Sequence, residues 1–492
     1  MSNPSKLIIA LLLLSCRSLT SQAQVDTLYL NLPEMITIAE SDAPAAAIAE
    51  TRLNNNYWRY QSFLANYKPQ ITLDATLPNL NRSIDVITLP DGTDAFINRS
   101  LMRNNIGIQL QQDITLTGGR LFASTGLQRI DLFGDNAGNI SYLSNPISIG
   151  LIQPLFGFNA LKWDRRVEPL RYEEARKNYS EEKATIGYQA AQQYFEVLIA
   201  QLNLQAALRD QAEADTLYLI SEGRYSVGKI AETELLQIEL NARNAAANVA
   251  QSRFNLENNT ERLRDFLGIQ DPVFFDLDTP DELPSFLIDL DLALRQALDN
   301  RSETVNFERR LREADMEVAQ AEGETGLQMN LFASFGLSQT ATNLADAYVS
   351  PLDQEQVQVG ITMPIADWGK TQARLEIARS TAQIEQMQVA QDRINFEREI
   401  IIKVQQFDQV REQVNLADRS YEIAQRRLDI TRRRYRIGKI DITELNLAIS
   451  EEANARRSYV NALRDFWLAY YDLRRLTLYD FERGERLVEP AN

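Results

Sequence analysis

The sequence contains no histidine and only one cysteine, and these absences exclude most enzyme classes. Without histidine, neither a Ser-His nor a Cys-His nucleophile pair can form, and imidazole metal sites are excluded. No run after residue 20 approaches the roughly 18 to 20 apolar residues of a spanning helix, which excludes a helical membrane protein. Acidic residues outnumber basic ones by 68 to 51. The resulting net charge of −17 would repel a polyphosphate, so we expect no nucleic-acid partner. We also expect no cofactor.

Residues 1–23 are expected to form a secretory signal peptide. Lys6 precedes an apolar stretch from Leu7 to Leu14, and small and polar residues follow. Cleavage after Ala23 is slightly favoured over cleavage before Cys16, which lies in a stretch resembling a lipoprotein acylation box and is therefore a candidate lipidation site. With either cleavage the mature chain has no disulfide, so its stability must come from packing and assembly.

An internal repeat organises the chain. Residues 220–235 return as residues 430–445, 210 positions later and without a gap, and the same offset relates residues 150–154 to 360–364. Upstream the offset becomes 258, so the first half carries about 48 extra residues. Four pairs of identical residues mark the repeat: Tyr225 and Tyr435, Gly228 and Gly438, Lys229 and Lys439, and Glu234 and Glu444.

The repeat predicts two structural units of the same plan: a short helix, then strands, then two long helices. The first repeat is expected to cover residues 24–270, with strands at about 67–155 and long helices at about 160–267. A linker, 271–290, leads to the second repeat, 291–480, with strands at about 327–365 and long helices at about 370–476. Residues 481–492 form a C-terminal tail.

The strands are predicted from period-two alternation. Residues 71–77, 327–338 and 357–363 each place apolar side chains on one face and polar ones on the other. Such runs suit a barrel wall between lipid and water, and the one-sided core of a sandwich would give the same pattern. The extra residues contain two further runs, 106–110 and about 121–130, which predict an additional hairpin and up to six strands per chain.

The long helices are predicted from a heptad seam of apolar residues in each half. Positions 235 to 266 of the first half, spaced alternately by three and four, read Leu, Ile, Ala, Ala, Val, Ser, Leu, Asn, Leu and Phe. The image of this seam at 445 to 476 has only Glu452 as a polar member. An arm of about 50 to 60 residues would span roughly 75 to 90 Å.

At residues 150–156 and 435–445 the sequence resembles the TolC family of outer-membrane efflux proteins, and the likeness extends from about Leu32 to Tyr479. The resemblance implies a mixed α and β membrane protein with two structural repeats per chain. It implies a homotrimer whose strands close one outer-membrane β-barrel, continued by a long periplasmic α-helical coiled-coil barrel. With six strands per chain, that barrel would exceed the family's usual twelve strands. The linker would fold into an equatorial belt.

The resemblance also implies a passive exit duct in the outer membrane of a Gram-negative bacterium, and no enzyme. Its partners would be outer-membrane lipid, a periplasmic membrane-fusion adaptor and an inner-membrane pump of the RND or ABC type. Two rival interpretations are a periplasmic coiled-coil adaptor or scaffold without a pore, and a secreted hydrolase using paired carboxylates. The scaffold leaves the amphipathic strands without a purpose, and no carboxylate pair supports the hydrolase.

Family members close at the periplasmic tip, where the two long helices of each half reverse direction. The resemblance implies constriction roles for Tyr435 and Glu444. A basic family position falls on Ile440 and an acidic one on Leu447, so neighbouring residues would have to substitute. We therefore expect the gate to comprise Tyr435, Glu444, Lys439 and Asp441. The tip turns, where the family docks adaptor hairpins, would include Tyr225, Gly228, Lys229, Glu234 and Gly438.

Three features of these segments have two interpretations. Glu444 suits a charged ring around a pore, and it also suits a helix-start carboxylate favoured by the helix dipole. A run of basic residues from Arg426 to Lys439 suits an acidic partner surface or a solvated arm with internal ion pairs. Pro154 and Pro364 stand where strand is expected to become helix, as shared bends or as ordinary turn prolines.

Overall fold

The computed structural model describes residues 26–134, 138–280, 283–284 and 286–488. The predicted signal peptide and Cys16 lie outside these residues. The described residues fall into two compact units. One combines the described residues within 26–50, 180–297 and 400–488, and is called here the helical unit; the other combines those within 51–179 and 298–399, and is called the sheet unit. Both halves of the sequence repeat therefore contribute to each unit.

The sheet unit contains one antiparallel six-stranded sheet. The strands Gln70–Thr88 and Leu352–Thr362 form its two edges. The alternating segments that predicted strands in both halves therefore belong to one hydrogen-bonded sheet. In order across the sheet, the strands are β2 (Gln70–Thr88), β3 (Asp94–Ile114), β4 (Gly119–Phe133), β5 (Ile140–Phe156), β7 (Gln328–Ala341) and β8 (Leu352–Thr362).

The extra hairpin expected in the first half is the pair β3 and β4. Their ladder runs without interruption from Ser100 opposite Phe133 to Ile114 opposite Gly119, and Gly118 in the connecting turn has φ +73°. Glycine adopts this left-handed conformation without the steric penalty of a Cβ. Strand β2 extends well beyond its alternating segment, because the ladder with β3 accommodates an irregularity between Thr76 and Asn79.

Four long helices repeat the same lengths in the two halves. Helices α3 (Ala160–Ser226) and α7 (Lys370–Arg436) each have 67 residues, and α4 (Glu232–Leu267) and α8 (Ile442–Thr477) each have 36. At 1.5 Å per residue a 67-residue helix is about 100 Å long. The predicted seam members of α4 and α8 are all buried or half-buried. The heptad pattern therefore identified the packed faces of these helices.

The remaining elements are short. Helix α1 (Leu32–Asp42) begins at a capping box between Asn31 and Glu34, and a parallel two-stranded pair joins β1 (Asp26–Leu30) to β6 (Val273–Leu277). Part of the expected linker is therefore a strand. The other elements are α2 (Pro44–Ala65), α5 (Leu290–Asn300), α6 (Ser302–Thr325), β9 (Tyr479–Asp480) and β10 (Glu485–Arg486).

Aromatic packing forms much of the core of the helical unit. Phe407 is fully buried, and its ring centroid lies 5.1 Å from that of Phe466 and 6.2 Å from that of Phe286. The guanidinium carbon of Arg411 lies 5.0 Å from the Phe407 centroid, in a cation–π contact. Tyr470 donates a hydrogen bond to Asp480, whose pKa is lowered by the hydrogen bonds and the nearby Arg474 charge even though burial opposes them.

None of the helices within the described ranges combines the length and the apolar composition needed to cross a bilayer.

The two prolines expected at strand-to-helix bends occupy different positions. Pro154 lies inside β5, where it pairs with Asn330 next to a register irregularity, while Pro364 follows the end of β8. The missing N–H of Pro154 is tolerated because the ladder is already irregular there.

Candidate functional site

The candidate site lies in the helical unit, at the two segments where long helices reverse direction. The first reversal, residues 227–231, joins α3 to α4, and the second, residues 437–441, joins α7 to α8. The hydrogen bonds at the two ends match. Gly228 N–H donates to the Tyr225 carbonyl and Lys229 N–H to the Arg224 carbonyl, and Gly438 and Lys439 make the equivalent bonds.

This pattern is a Schellman motif, in which a glycine in the left-handed region ends a helix. Gly228 has φ +70° and Gly438 has φ +72°. A side chain at either glycine would be strained by this backbone conformation, although no neighbouring atom stands in its way. The Tyr-x-x-Gly-Lys repeat of the sequence is therefore a helix C-capping motif that ends α3 and α7.

The two reversals share an apolar core, called here the reversal core. It consists of Ile238 from α4, Leu428 and Tyr435 from α7, and Ile442, Leu445 and Ala448 from α8. Arg224, at the end of α3, donates a 2.8 Å hydrogen bond to the Arg436 carbonyl, and its guanidinium carbon lies 5.7 Å from the Tyr435 ring centroid. The chain thus brings together two segments that are 210 residues apart.

Tyr435 is only 2% exposed. Its hydroxyl is buried and has no hydrogen-bond partner among the described residues. An unsatisfied buried hydroxyl costs about 1–3 kcal/mol. Tyr225, the matching residue of the first reversal, is 42% exposed, so the two halves of the repeat differ at this position.

The acidic residues of the second reversal have separate roles. Asp441 caps α8: its Oδ1 accepts a 2.9 Å hydrogen bond from the Glu444 backbone N–H. Glu444 itself is exposed, and one of its carboxylate oxygens lies 3.9 Å from Arg434 Nη1. The first reversal has no such cap, since Ala231 occupies the equivalent position.

The capping difference gives a testable prediction. Asp441→Ala should destabilise the first turn of α8 by about 0.5–2 kcal/mol, because the Glu444 N–H loses its acceptor. Amide hydrogen exchange at the start of α8 measures this loss. The matched control is Ala231→Asp, which should slow exchange at the start of α4. Unchanged exchange in both variants would contradict the assigned cap.

Several of the basic residues of the second arm pair within the chain. Arg426 contacts Glu422, Arg427 contacts Glu451, and Arg432 contacts Glu213 of α3. Burial raises the pKa of Glu213 in spite of the neighbouring Arg432 charge. These contacts show internal ion pairing along the arm.

A cavity of about 600 Å³ opens beside the reversal core. Its wall is largely apolar, and Asn241 donates a 3.1 Å hydrogen bond to Asn446 across it. Arg432, Glu213 and Tyr435 also line this space. A cavity of this volume accommodates a drug-sized molecule or the side chains of an inserted segment.

The structure therefore brings most of the predicted residues together. Tyr435, Lys439, Asp441 and Glu444 lie at the second reversal, and Tyr225, Gly228, Lys229 and Glu234 lie at the first. Sequence reasoning did not identify Arg224 and Glu213 as members of the site. The repeat offset could have drawn attention to Arg224, because it is the counterpart of Arg434. Glu213 has no comparable signal in the sequence.

Comparisons with known proteins were made for the whole chain. The family profile described as "Outer membrane efflux protein" matches residues 113–269 and 293–477. No curated protein gives a significant sequence match.

Solved structures match along nearly the whole chain. The Campylobacter jejuni outer membrane channel CmeC matches with a TM-score of 0.65 at 16% identity, over 93% of this chain and 87% of CmeC. The outer-membrane channel OprN matches with a TM-score of 0.65 at 18% identity, over 92% and 90% of the two chains. The Vibrio cholerae outer membrane protein VceC matches with a TM-score of 0.63 at 16% identity, over 91% and 96%. Identities this low establish similarity of fold.

Proposed function

This chain belongs to the outer membrane efflux protein family, and from this premise we propose that it is the passive exit duct of a tripartite efflux or secretion system. It conducts substrates from the periplasm to the exterior and catalyses no reaction. Its place is the outer membrane, with a large periplasmic portion. A pore-free periplasmic scaffold, the rival interpretation of the sequence, does not explain a family match that includes the strands β4, β5, β7 and β8.

The observation that carries the proposal is a six-stranded sheet with two open edges. Each strand has between 11 and 21 residues, and about 9–11 suffice to cross a bilayer. Every unpaired backbone group of an edge strand costs several kcal/mol in lipid. Three copies remove these edges if β8 of one copy pairs with β2 of the next, so that their sheets close around a shared axis.

The oligomeric state tests this proposal. We expect the protein to have the mass of a trimer in detergent, and the same preparation to conduct ions after reconstitution into a planar bilayer. Mass photometry or native mass spectrometry measures the first property. A stable monomer that conducts would contradict shared closure of the sheet, and a trimer without conductance would contradict the duct.

We assign the gate to the second reversal. Tyr435 and Glu444 belong to it because one carries a buried hydroxyl without a partner in the described chain, and the other carries an exposed carboxylate. Lys439 lies on the exposed turn between them. Asp441, which caps α8, supports the gate by fixing the start of the helix that carries Glu444.

The same reversals are the proposed docking place of a periplasmic membrane-fusion adaptor, which would connect the duct to an inner-membrane pump of the RND or ABC type. The cavity beside the reversal core supports this proposal, because it offers an apolar wall that also carries the amide groups of Asn241 and Asn446. Lys229 and Lys439 add exposed positive charge at the two reversals.

A further inference from the structure

Two segments at one end of the sheet, the β3–β4 turn and the residues after β8, expose large apolar side chains. The register pairs Gln328 with Thr362 and Met329 with Phe156, and β3 joins β4 at this same end. Here the strands β5 and β8 lead towards α3 and α7. The exposed fractions are 91% for Leu116, 92% for Ile365 and 98% for Trp368.

The backbone at Trp368 is strained. Trp368 has φ +56°, and Gly369, which could take such a value without cost, follows it with φ +86°. A bulky residue in the left-handed region is an outlier that persists only where its surroundings enforce it.

The enforcing group is Asp367, which caps α7. Its carboxylate accepts hydrogen bonds from the backbone N–H groups of Gly369, at 3.0 Å, and Thr371, at 2.9 Å, and also from the Thr371 hydroxyl. The loop is therefore fixed, and it holds the indole ring away from the rest of the chain. A fixed, strained loop that presents a fully exposed tryptophan indicates that the ring has a partner outside the chain.

We propose that Leu116, Ile365 and Trp368 form an interfacial anchor, seated at the headgroup level of the periplasmic leaflet of the outer membrane. This proposal rests on the duct function, which places the sheet in that membrane. Tryptophan is enriched at such boundaries because its ring is apolar while its N–H remains hydrated. Lys370, which is exposed at the start of α7, suits contact with lipid phosphates, while Arg374 in the next turn pairs with Glu324.

Continuity with the sheet supports lipid as the partner. Val357, Val359 and Ile361 lie on one face of β8 and are exposed, and the alternation continues through Met363 to Ile365. This is the face that the duct function places against acyl chains. A neighbouring copy paired along β8 would lie near Ile365 and Trp368, whereas Leu116 lies on the β3–β4 turn in the interior of the sheet order. Lipid is therefore the partner that all three side chains can share.

Fluorescence of a single-tryptophan protein tests the anchor. Trp58, Trp163 and Trp467 are replaced by phenylalanine, and the trimer is reconstituted into phosphatidylcholine vesicles. We expect the emission of Trp368 to be blue-shifted relative to water, and to be quenched by lipids brominated on the acyl chain near the headgroup. Iodide in the aqueous phase should have little effect. The matched control keeps only Trp467, which is buried in the helical unit and should respond to neither quencher.

The outcomes separate the anchor from the duct. Quenching by iodide but not by brominated lipid would place Trp368 in water and overturn the anchor, as would protection from both quenchers, which would place the ring against a neighbouring copy. In either case the vesicles would still conduct. Protein that neither inserts nor conducts would instead overturn the duct function, and the anchor with it.

A second reporter tests the anchor at a neighbouring position, in a protein without the strained tryptophan. Trp368→Gly relieves the positive φ and completes a tryptophan-free background, into which Ile365→Trp is introduced. The anchor predicts the same quenching by brominated lipid at position 365. A response to iodide alone would overturn it.

Discussion

Glu444→Gln is expected to abolish the block of conductance by polyvalent cations. In the proposed trimer three copies of this exposed carboxylate surround the axis, and their mutual repulsion makes a shared counter-ion favourable. The exposed contact with Arg434, at 3.9 Å, neutralises each one only weakly. A loss of about 1.4 kcal/mol in the binding free energy of the blocking cation raises the blocking concentration about tenfold.

Planar-bilayer recordings with Mg²⁺ and with a trivalent cation measure this effect. Glu234→Gln is the matched control. Glu234 occupies the equivalent position after the first reversal, and its substitution removes the same charge. We expect the control to keep the block. If both variants lose it, the general charge of the helix ends is responsible, and if neither does, the constriction lies elsewhere.

Tyr435→Phe is expected to raise conductance while the preference for cations persists. The hydroxyl is enclosed by its own chain, where it has no partner among the described residues. We propose that the Tyr435 side chain turns outward in the closed trimer and that its hydroxyl then bonds to a neighbouring copy. Each such bond contributes about 0.5–1.5 kcal/mol, and the symmetry of the trimer triples the loss. Single-channel conductance and the thermal stability of the trimer are the two measurements.

The sign of the stability change distinguishes the alternatives for this hydroxyl. Removing an unsatisfied buried hydroxyl would relieve a penalty of about 1–3 kcal/mol and stabilise the protein. A more stable trimer with unchanged conductance would therefore contradict the bond between copies. Tyr225→Phe should change neither property, because the matching hydroxyl belongs to a half-exposed residue.

Much of the fold was predictable because its signals are local and repeated. The heptad seams identified the buried faces of α4 and α8, and the alternating runs 106–110 and 121–130 identified the hairpin of β3 and β4. Family membership and the mixed α and β fold with its two repeats are likewise confirmed.

Strand ends were harder to predict because alternation reports burial, whereas a strand is defined by its hydrogen bonds. Residues 79–83 of β2 carry mostly polar side chains and show no one-sided pattern. Their backbone nevertheless pairs with β3, and the pairing of β2 continues as far as Thr88. Pro154 illustrates the same point, since an irregular ladder tolerates a residue without an N–H.

At the site, local motifs were readable and distant pairings were not. The Tyr-x-x-Gly-Lys repeat located both reversals, whose hydrogen bonds span at most six residues. The cap of α8 depends on where the helix begins, and the structure shows that this residue is Asp441. The contacts of Arg224 with the second reversal and of Glu213 with Arg432 join residues more than 200 positions apart, for which no periodicity exists.

The pairing of β5 with β7 determines the order in which the sheet can form. Strands β2 to β5 are consecutive and pair through short turns, whereas β5 and β7 are separated by about 170 residues, 157–327. Closing that loop costs about 3 kcal/mol more in chain entropy than closing a hairpin turn. The first four strands can therefore assemble as soon as they leave the secretion machinery, while β7 and β8 must wait until both helices of the first half have followed. Until then β5 is an unpaired edge, so the slow step of biogenesis is also the one most exposed to chaperones and to misassembly.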